Sequence, residues 1–134
     1  NSSFVAKFLG EINCLVGTVE QQIGNLVTIS LGENGKIQLL SESNEIKNNR
    51  CYVRPEKIFF DTGKEQKEPV NSLEGTLVSI DFFGSYTRYQ IQLTDGTLFK
   101  LSLHHRKPKQ HKHFIGDSVR VLFPISDVFQ IHEN

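Results

Sequence analysis

Two stretches of this chain hold the residue types from which a site could be built, one cationic and one aromatic. The run His104-His105-Arg106-Lys107-Pro108-Lys109-Gln110-His111-Lys112-His113 carries four histidines and four lysines or arginines, with no acid among them. It offers positive charge to an anion or an acidic protein surface, and gains more near about pH 6, where unperturbed imidazoles titrate. As a metal site it is poorly arranged. His104 and His105 are adjacent, so on a strand they point to opposite faces, and no Cys or acid stands near His111 and His113 to complete a ligand shell. The same run also serves as a plain solvated loop, with Gly116-Asp117 turning the chain into the next strand. The aromatic stretch, Phe82-Phe83-Gly84-Ser85-Tyr86-Thr87-Arg88-Tyr89, interleaves rings with a single arginine. On an open β surface such rings stack single-stranded bases. Alternatively Phe82 and Tyr89 fill a core while the rest lines a turn, because a base-binding groove needs more cations than Arg88 alone.

Signatures of catalysis are missing. Gly35-Lys36 and Gly63-Lys64 lack the upstream glycine and the following Ser or Thr of a phosphate-cradling loop. No Gly-x-Ser-x-Gly, His-Glu-x-x-His or Cys-x-x-Cys occurs, and the acids are scattered rather than paired. Cys14 and Cys51 fall in expected strands, where a free Cys packs as a small apolar residue. The chain itself is therefore read as non-catalytic and without a cofactor or metal. Its 134 residues balance 15 basic against 15 acidic side chains, which argues against nucleic acid as a partner. Four of those basic residues lie in the cationic run, leaving 11 to face 15 acids, so the charge is a local patch on an acidic body. No apolar run approaches the ~18 residues of a membrane span, and two thiols without a secretory signal point to a reducing compartment. A chain that starts at Asn1 and contains no Met is expected to be part of a longer polypeptide.

The elements that must position these residues are strands. Ser3 opens an expected short helix over residues 1–12, with Phe4, Val5, Phe8, Leu9 and Ile12 at helical spacing. After it the period changes to two. Thr87, Tyr89, Ile91 and Leu93 alternate with polar residues up to Asp95-Gly96, and Thr97, Phe99, Leu101 and Leu103 alternate beyond it, which defines a hairpin. Val27, Ile29 and Leu31 lead in the same way through Asn34-Gly35 to Ile37 and Leu39, and further strands are expected at 14–20, 50–54, 58–60, 73–82, 118–123 and 128–131. The pattern repeats. Asn13-Cys-Leu15-Val-Gly17-Thr18 returns as Asn71-Ser-Leu73-Glu-Gly75-Thr76 at an offset of 58, Asn34-Gly35 as Asp95-Gly96 at 61, and Val53-Arg54-Pro55 as Val121 to Pro124 at 68 and 69. The expected fold is all-β: two interlocked OB-like barrel lobes, 13–60 and 70–134, joined by the polar linker 61–69.

At this level the residues resemble a known family. Phe4-Val-Ala-Lys-Phe8-Leu-Gly10-Glu11-Ile12-Asn13 resembles the segment that leaves the nucleotide-binding domain of bacterial ABC importer ATPase subunits. Tyr52-Val53-Arg54-Pro55-Glu56-Lys57-Ile58 resembles the Arg-Pro-Glu motif of their C-terminal region. Leu73 to Thr76, Gly84 to Tyr89, Asp95-Gly96 and Gly116-Asp117-x-Val119 look like the TOBE domain, and the likeness is greatest to polyamine (spermidine/putrescine) systems. The resemblance implies a regulatory and dimerisation domain whose ATP- and Mg-binding part lies upstream, at the cytoplasmic face of the inner membrane. Its implied partners are a second copy of the ATPase subunit and, through that missing domain, the membrane permease subunits. The candidate contacts are Arg54 and Glu56, as an ion-pairing cluster, and Phe83, Tyr86 and Arg88, as an aromatic and Arg anchor. For Arg54-Pro55-Glu56 a strand-ending turn set by proline is an equal reading. Two other functions compete: an OB-type nucleic-acid-binding module, and a sensor of a small ligand such as a polyamine or oxyanion.

Overall fold

The period-two alternation is realised along ten strands of a computed structural model, which describes residues 11–41, 49–104 and 112–131. The expected lead-in helix falls almost wholly outside the described residues. In order the strands are β1 (Asn13–Val16), β2 (Thr18–Ile23), β3 (Leu26–Ser30), β4 (Lys36–Leu40), β5 (Arg50–Val53), β6 (Phe59–Phe60), β7 (Val70–Phe82), β8 (Tyr86–Leu93), β9 (Leu98–His104) and β10 (Ser118–Pro124). Residues 61–69 form no strand. The strands make three antiparallel sheets, ordered β1-β5, β2-β3-β4 and β6-β10-β7-β8-β9. None closes into a barrel, so the expected closed lobes are corrected to open sheets. The expected strand over 128–131 reduces to one bridge between Phe129 and Tyr52.

The internal repeat is present in the strand registers. Thr18 faces Ser30 and Val19 faces Ile29 before the register shifts, and Thr76 faces Gln92 and Leu77 faces Ile91 before the same shift. The unpaired residue is Glu20 in the first half and Val78 in the second. Gly17 and Gly75 sit just upstream for a steric reason. A Cβ at Gly17 would fall on the Ser30 carbonyl oxygen and within 2.6 Å of Ile29 Cγ2; one at Gly75 would fall on the Gln92 carbonyl oxygen and within 2.6 Å of Ile91 Cγ2. The turns correct the sequence alignment. Flanking strands place Ile29 with Ile91 and Ile37 with Phe99, an offset of 62, so Asn34 corresponds to Gly96 rather than Asp95. Likewise Val53 faces Asn13 as Phe123 faces Asn71, an offset of 70 rather than 68 or 69.

The halves complete each other instead of closing on themselves. β4 and β9 are edge strands whose outer N–H and C=O groups need partners. Asn71 Nδ2 donates to the Gln38 carbonyl on β4 (2.9 Å), and Asn71 Oδ1 accepts from Gln38 N–H (2.7 Å). Asn13 does the same to Lys100 on β9, at 2.8 Å in each direction. The short 3-10 turn Ile125–Asp127 packs on β4, and its counterpart Pro55–Lys57 packs on β9. Past these turns the chain ends are exchanged. Phe59 and Phe60 pair with Leu122 and Val121 in the second half, while Phe129 pairs with Tyr52 in the first, at 2.8 and 2.9 Å. One continuous core results, running from Leu15, Val27, Ile29 and Ile37 through Val53 to Leu73, Leu77, Ile91, Phe99 and Phe123.

Asn71→Ala leaves a half-buried N–H and C=O of β4 without partners, and is expected to cost about 2–4 kcal/mol of stability. Urea unfolding checks this; a loss below about 0.5 kcal/mol would remove the amide from the interactions that hold the halves together.

Candidate functional site

The aromatic stretch lies at the tip of the β7–β8 hairpin, and the repeat explains why that tip exists. In the first half the last paired residues, Ile23 and Leu26, are joined by the two-residue turn Gly24-Asn25. Their counterparts are Asp81 and Arg88, and between these the second half carries Phe82 to Thr87, four residues more. The extension projects beyond the core. Phe82 and Phe83 are 62% and 56% exposed, so Phe82 does not fill the core, whereas Tyr89 does. Gly84, at φ +80°, turns the tip, and Phe83 N–H donates to the Tyr86 carbonyl at 2.9 Å.

On this tip three rings lie nearly parallel. Phe83 and Tyr86 are 5.0 Å apart at 18°, and Tyr86 and His104 are 5.2 Å apart at 22°. The Arg88 guanidinium stands 5.9 Å from the Tyr86 ring centre, with its Nε donating to Ser102 Oγ at 2.7 Å. Asp81, Arg88 and Ser102 form one row across β7, β8 and β9. Asp81 turns to its own strand instead, accepting from Ser79 Oγ at 3.0 Å, and no ion pair joins it to Arg88. Sequence reasoning missed Asp81. The signal that could have found it is the change of repeat offset from 58 to 62, which locates the four added residues beside it.

The remaining candidates fall in other places. Arg54 precedes the Pro55–Lys57 turn and lies 5.2 Å over the Phe129 ring, while Glu56 is exposed on that turn. Arg54 and Glu56 do not pair with each other, and neither touches Phe83, Tyr86 or Arg88. Pro55 is buried and the turn is formed, as the strand-ending reading required. Of the basic run, His104 joins the ring stack, His113 stacks on Phe60 at 4.0 Å, and Lys112 is exposed. His105, Arg106, Lys107, Lys109 and His111 lie outside the described residues. Among the described residues no group of three or more His, Cys, Asp or Glu could hold a metal ion.

The family model described as the TOBE domain matches residues 51–130. The chain belongs to the TOBE domain family. Over 121 residues it is 31% identical to the spermidine/putrescine import ATP-binding protein PotA 2 of Pseudomonas aeruginosa, covering 88% of this chain and 33% of that protein. Similar proteins in Chromobacterium violaceum and Ruegeria pomeroyi, both spermidine/putrescine import ATP-binding proteins PotA, are 30% identical over 121 residues. They are covered to 34% and 32%, for 88% and 90% of this chain. This TOBE chain thus spans about a third of the length of these relatives. Among solved structures it is similar to the molybdate-bound cytoplasmic molybdate-binding protein ModG, with a TM-score of 0.66 and 21% identity over 87% of this chain and 93% of that one. That likeness is one of fold. Among the described residues no helix is long and apolar enough to cross a membrane.

The two thiols of the TOBE chain have opposite environments. Burial pushes the Cys51 thiol up from 9.0 to about 12, whereas Cys14 is exposed. The folded state therefore holds the Cys51 proton more tightly than the unfolded state, so this contribution to stability is complete below about pH 9 and falls as pH rises toward 12. A thiol reagent is expected to label Cys14 at once and Cys51 only on unfolding, and Cys51→Ala is expected to flatten part of the alkaline loss of stability in urea titrations. Equal labelling rates for the two in the native protein would refute this.

Proposed function

We propose that this chain is the C-terminal regulatory and dimerisation region of the ATP-binding subunit of an ABC importer for polyamines. The observation that carries the reading is the alignment of 88% of the chain, at 31% identity, with a third of a spermidine/putrescine import ATP-binding protein. The TOBE family match over residues 51–130 supports a non-catalytic role for the region. Residues 13–60 and 70–134, joined by the linker 61–69, act as two interlocked halves. In the parent subunit the ATP- and Mg-binding domain lies upstream and contacts the permease subunits at the cytoplasmic face of the inner membrane. The TOBE region then clamps two copies of the subunit while their ATPase domains open and close. The tip carrying Phe83, Tyr86 and Arg88 is its contact surface, with Arg54 and Glu56 as a further regulatory contact.

Exposed rings beside an arginine are the composition of a protein contact, and the half-buried Arg88 is already oriented by Ser102. Deleting residues 13–134 from the parent subunit is expected to reduce uptake of labelled putrescine and spermidine to that of a strain without the subunit. The purified remainder is expected to retain ATP hydrolysis. Unchanged polyamine uptake in that strain would overturn the reading.

A further inference from the structure

The duplicated halves serve as controls for one another, and the outer face of β8 and β9 is where they differ in charge. Arg88 lies between the buried Thr87 and Tyr89, so it points away from the core, as do Lys100, Ser102 and His104 on β9. Arg88 faces Ser102, and Lys100 and His104 stand two places to either side of that serine. Both are therefore diagonal neighbours of Arg88, at about 7–8 Å in sheet geometry. At the offset of 62 the first half has Leu26, Gln38 and Glu42 in place of Arg88, Lys100 and His104. Basic side chains thus cluster where the sister half has none.

The arginine is already positioned to take an oxyanion. Its Nε donates to Ser102 Oγ at 2.7 Å and its guanidinium carbon lies 5.9 Å from the Tyr86 ring centre, which orients the half-buried group and leaves its terminal N–H groups for a carboxylate. No ion pair joins it to Asp81, which stands opposite on β7 and accepts from Ser79 Oγ at 3.0 Å. The other nearby acids are offset: Glu74, farther along β7, accepts from Arg120 Nε, and the Pro55–Lys57 turn packed on β9 adds Glu56 together with Lys57. The face is therefore positive along β9 and turns negative at β7. A polynucleotide crossing it would set phosphates against Asp81, and such binding draws on more phosphate contacts than these cations supply. An extended acidic peptide fits better. Its alternate side chains project to one side about 7 Å apart, so carboxylates at every second position meet Lys100, Arg88 and His104 in turn over about 13 Å of β9. We propose that the outer face of β8 and β9 is a docking site for an acidic segment of a partner protein, with carboxylates at alternating positions taken by Lys100, Arg88 and His104. This site goes beyond the clamp reading. Arg88 belongs to both, so an acidic segment seated here competes with the clamp for that side chain.

Peptides of defined charge test the site on the 134-residue chain. Fluorescence anisotropy with a labelled eight-residue Glu-Ser repeat is expected to show saturable binding, within about threefold of octaglutamate although it carries half the charge. Arg88→Leu and Lys100→Gln, which install the first half's residues, are expected to weaken it about tenfold and about threefold. Arg88→Lys keeps the charge without the fork and is expected to fall between wild type and Arg88→Leu, whereas Lys64→Gln in the linker leaves binding unchanged. Thermal unfolding checks the fold of each variant. Amide shifts on titration with the peptide are expected to concentrate in residues 86–92 and 98–104, a readout that needs no variant. Tighter binding of an eight-nucleotide oligothymidylate on the same residues would overturn the acidic-protein reading in favour of nucleic acid. An equal loss from Lys64→Gln would reduce the effect to charge attraction without a site, and no binding of either peptide at millimolar concentration also overturns the proposal. None of these measurements involves the ATPase domains or polyamines, so their failure leaves the clamp reading standing. That reading fails separately, as polyamine uptake that does not need the TOBE region.

Discussion

The architecture depends on two side-chain amides used as pieces of β-strand. An edge strand in a partly buried position must find partners for its outward N–H and C=O groups, and a peptide-like amide supplies both at once. Asn is the side chain that fits. Its donor and acceptor sit one methylene from the backbone, so Asn13 and Asn71 reach across at 2.7 to 2.9 Å while they remain in strands of their own sheets. Asp would lose the donor, and Gln would add a torsion to be frozen. Because Asn71 finishes β4 and Asn13 finishes β9, neither half has a complete sheet without the other. The exchange of Phe59-Phe60 and Phe129 repeats the logic with backbone groups, and the continuous core follows from it.

Positions at which the halves agree are those where geometry leaves no choice. Gly17 and Gly75 have a carbonyl where a Cβ would go, and the bulges at Glu20 and Val78 bend each hairpin over the core at the same register. Elsewhere the halves have drifted apart. Arg120 pairs with Glu74, while the equivalent Arg50 stands opposite the exposed Val16. The Glu20–Lys36 pair has become Val78 and Leu98. Exposed ion pairs contribute at most about 1 kcal/mol, so they can be exchanged for apolar surface at little cost to the fold. What such an exchange changes is the tendency of the face to be covered.

Local signals carried much of this into the sequence. Alternation over Thr87 to Leu93 and the Asp95-Gly96 turn define β8 and β9 because both are consequences of neighbouring residues. The repeat is visible at Asn71 and Gly75 because an edge hydrogen bond fixes the one and a carbonyl where a Cβ would go fixes the other. The turn alignment slipped by one, because Asn34-Gly35 and Asp95-Gly96 look alike although positive φ falls on the glycine at different points of each loop. Barrel closure was not legible. Whether β4 meets another strand or an Asn side chain is decided by residues 33 positions away, which periodicity does not encode. A strand's apolar residue is ordinarily buried, which makes the core one of two readings for Phe82, and only the length of β7 shows that it lies past the end of the core. Asp81 is marked only indirectly, by the four residues added beside it, since a lone acid in a strand acquires meaning only from the arginine opposite.

A contact built on this tip would be small, a few rings beside one arginine, and between free proteins such contacts are weak. Weakness suits the proposed setting. Two copies held by the same transporter meet at an effective concentration near the millimolar range, so a contact of comparable dissociation constant is substantially occupied without being permanent. Rigidity completes the argument. With each half's edge finished by the other, the two halves share one core and one set of edge contacts. A clamp that is rigid within each copy and weak between copies can open and re-form in step with the domains to which it is attached.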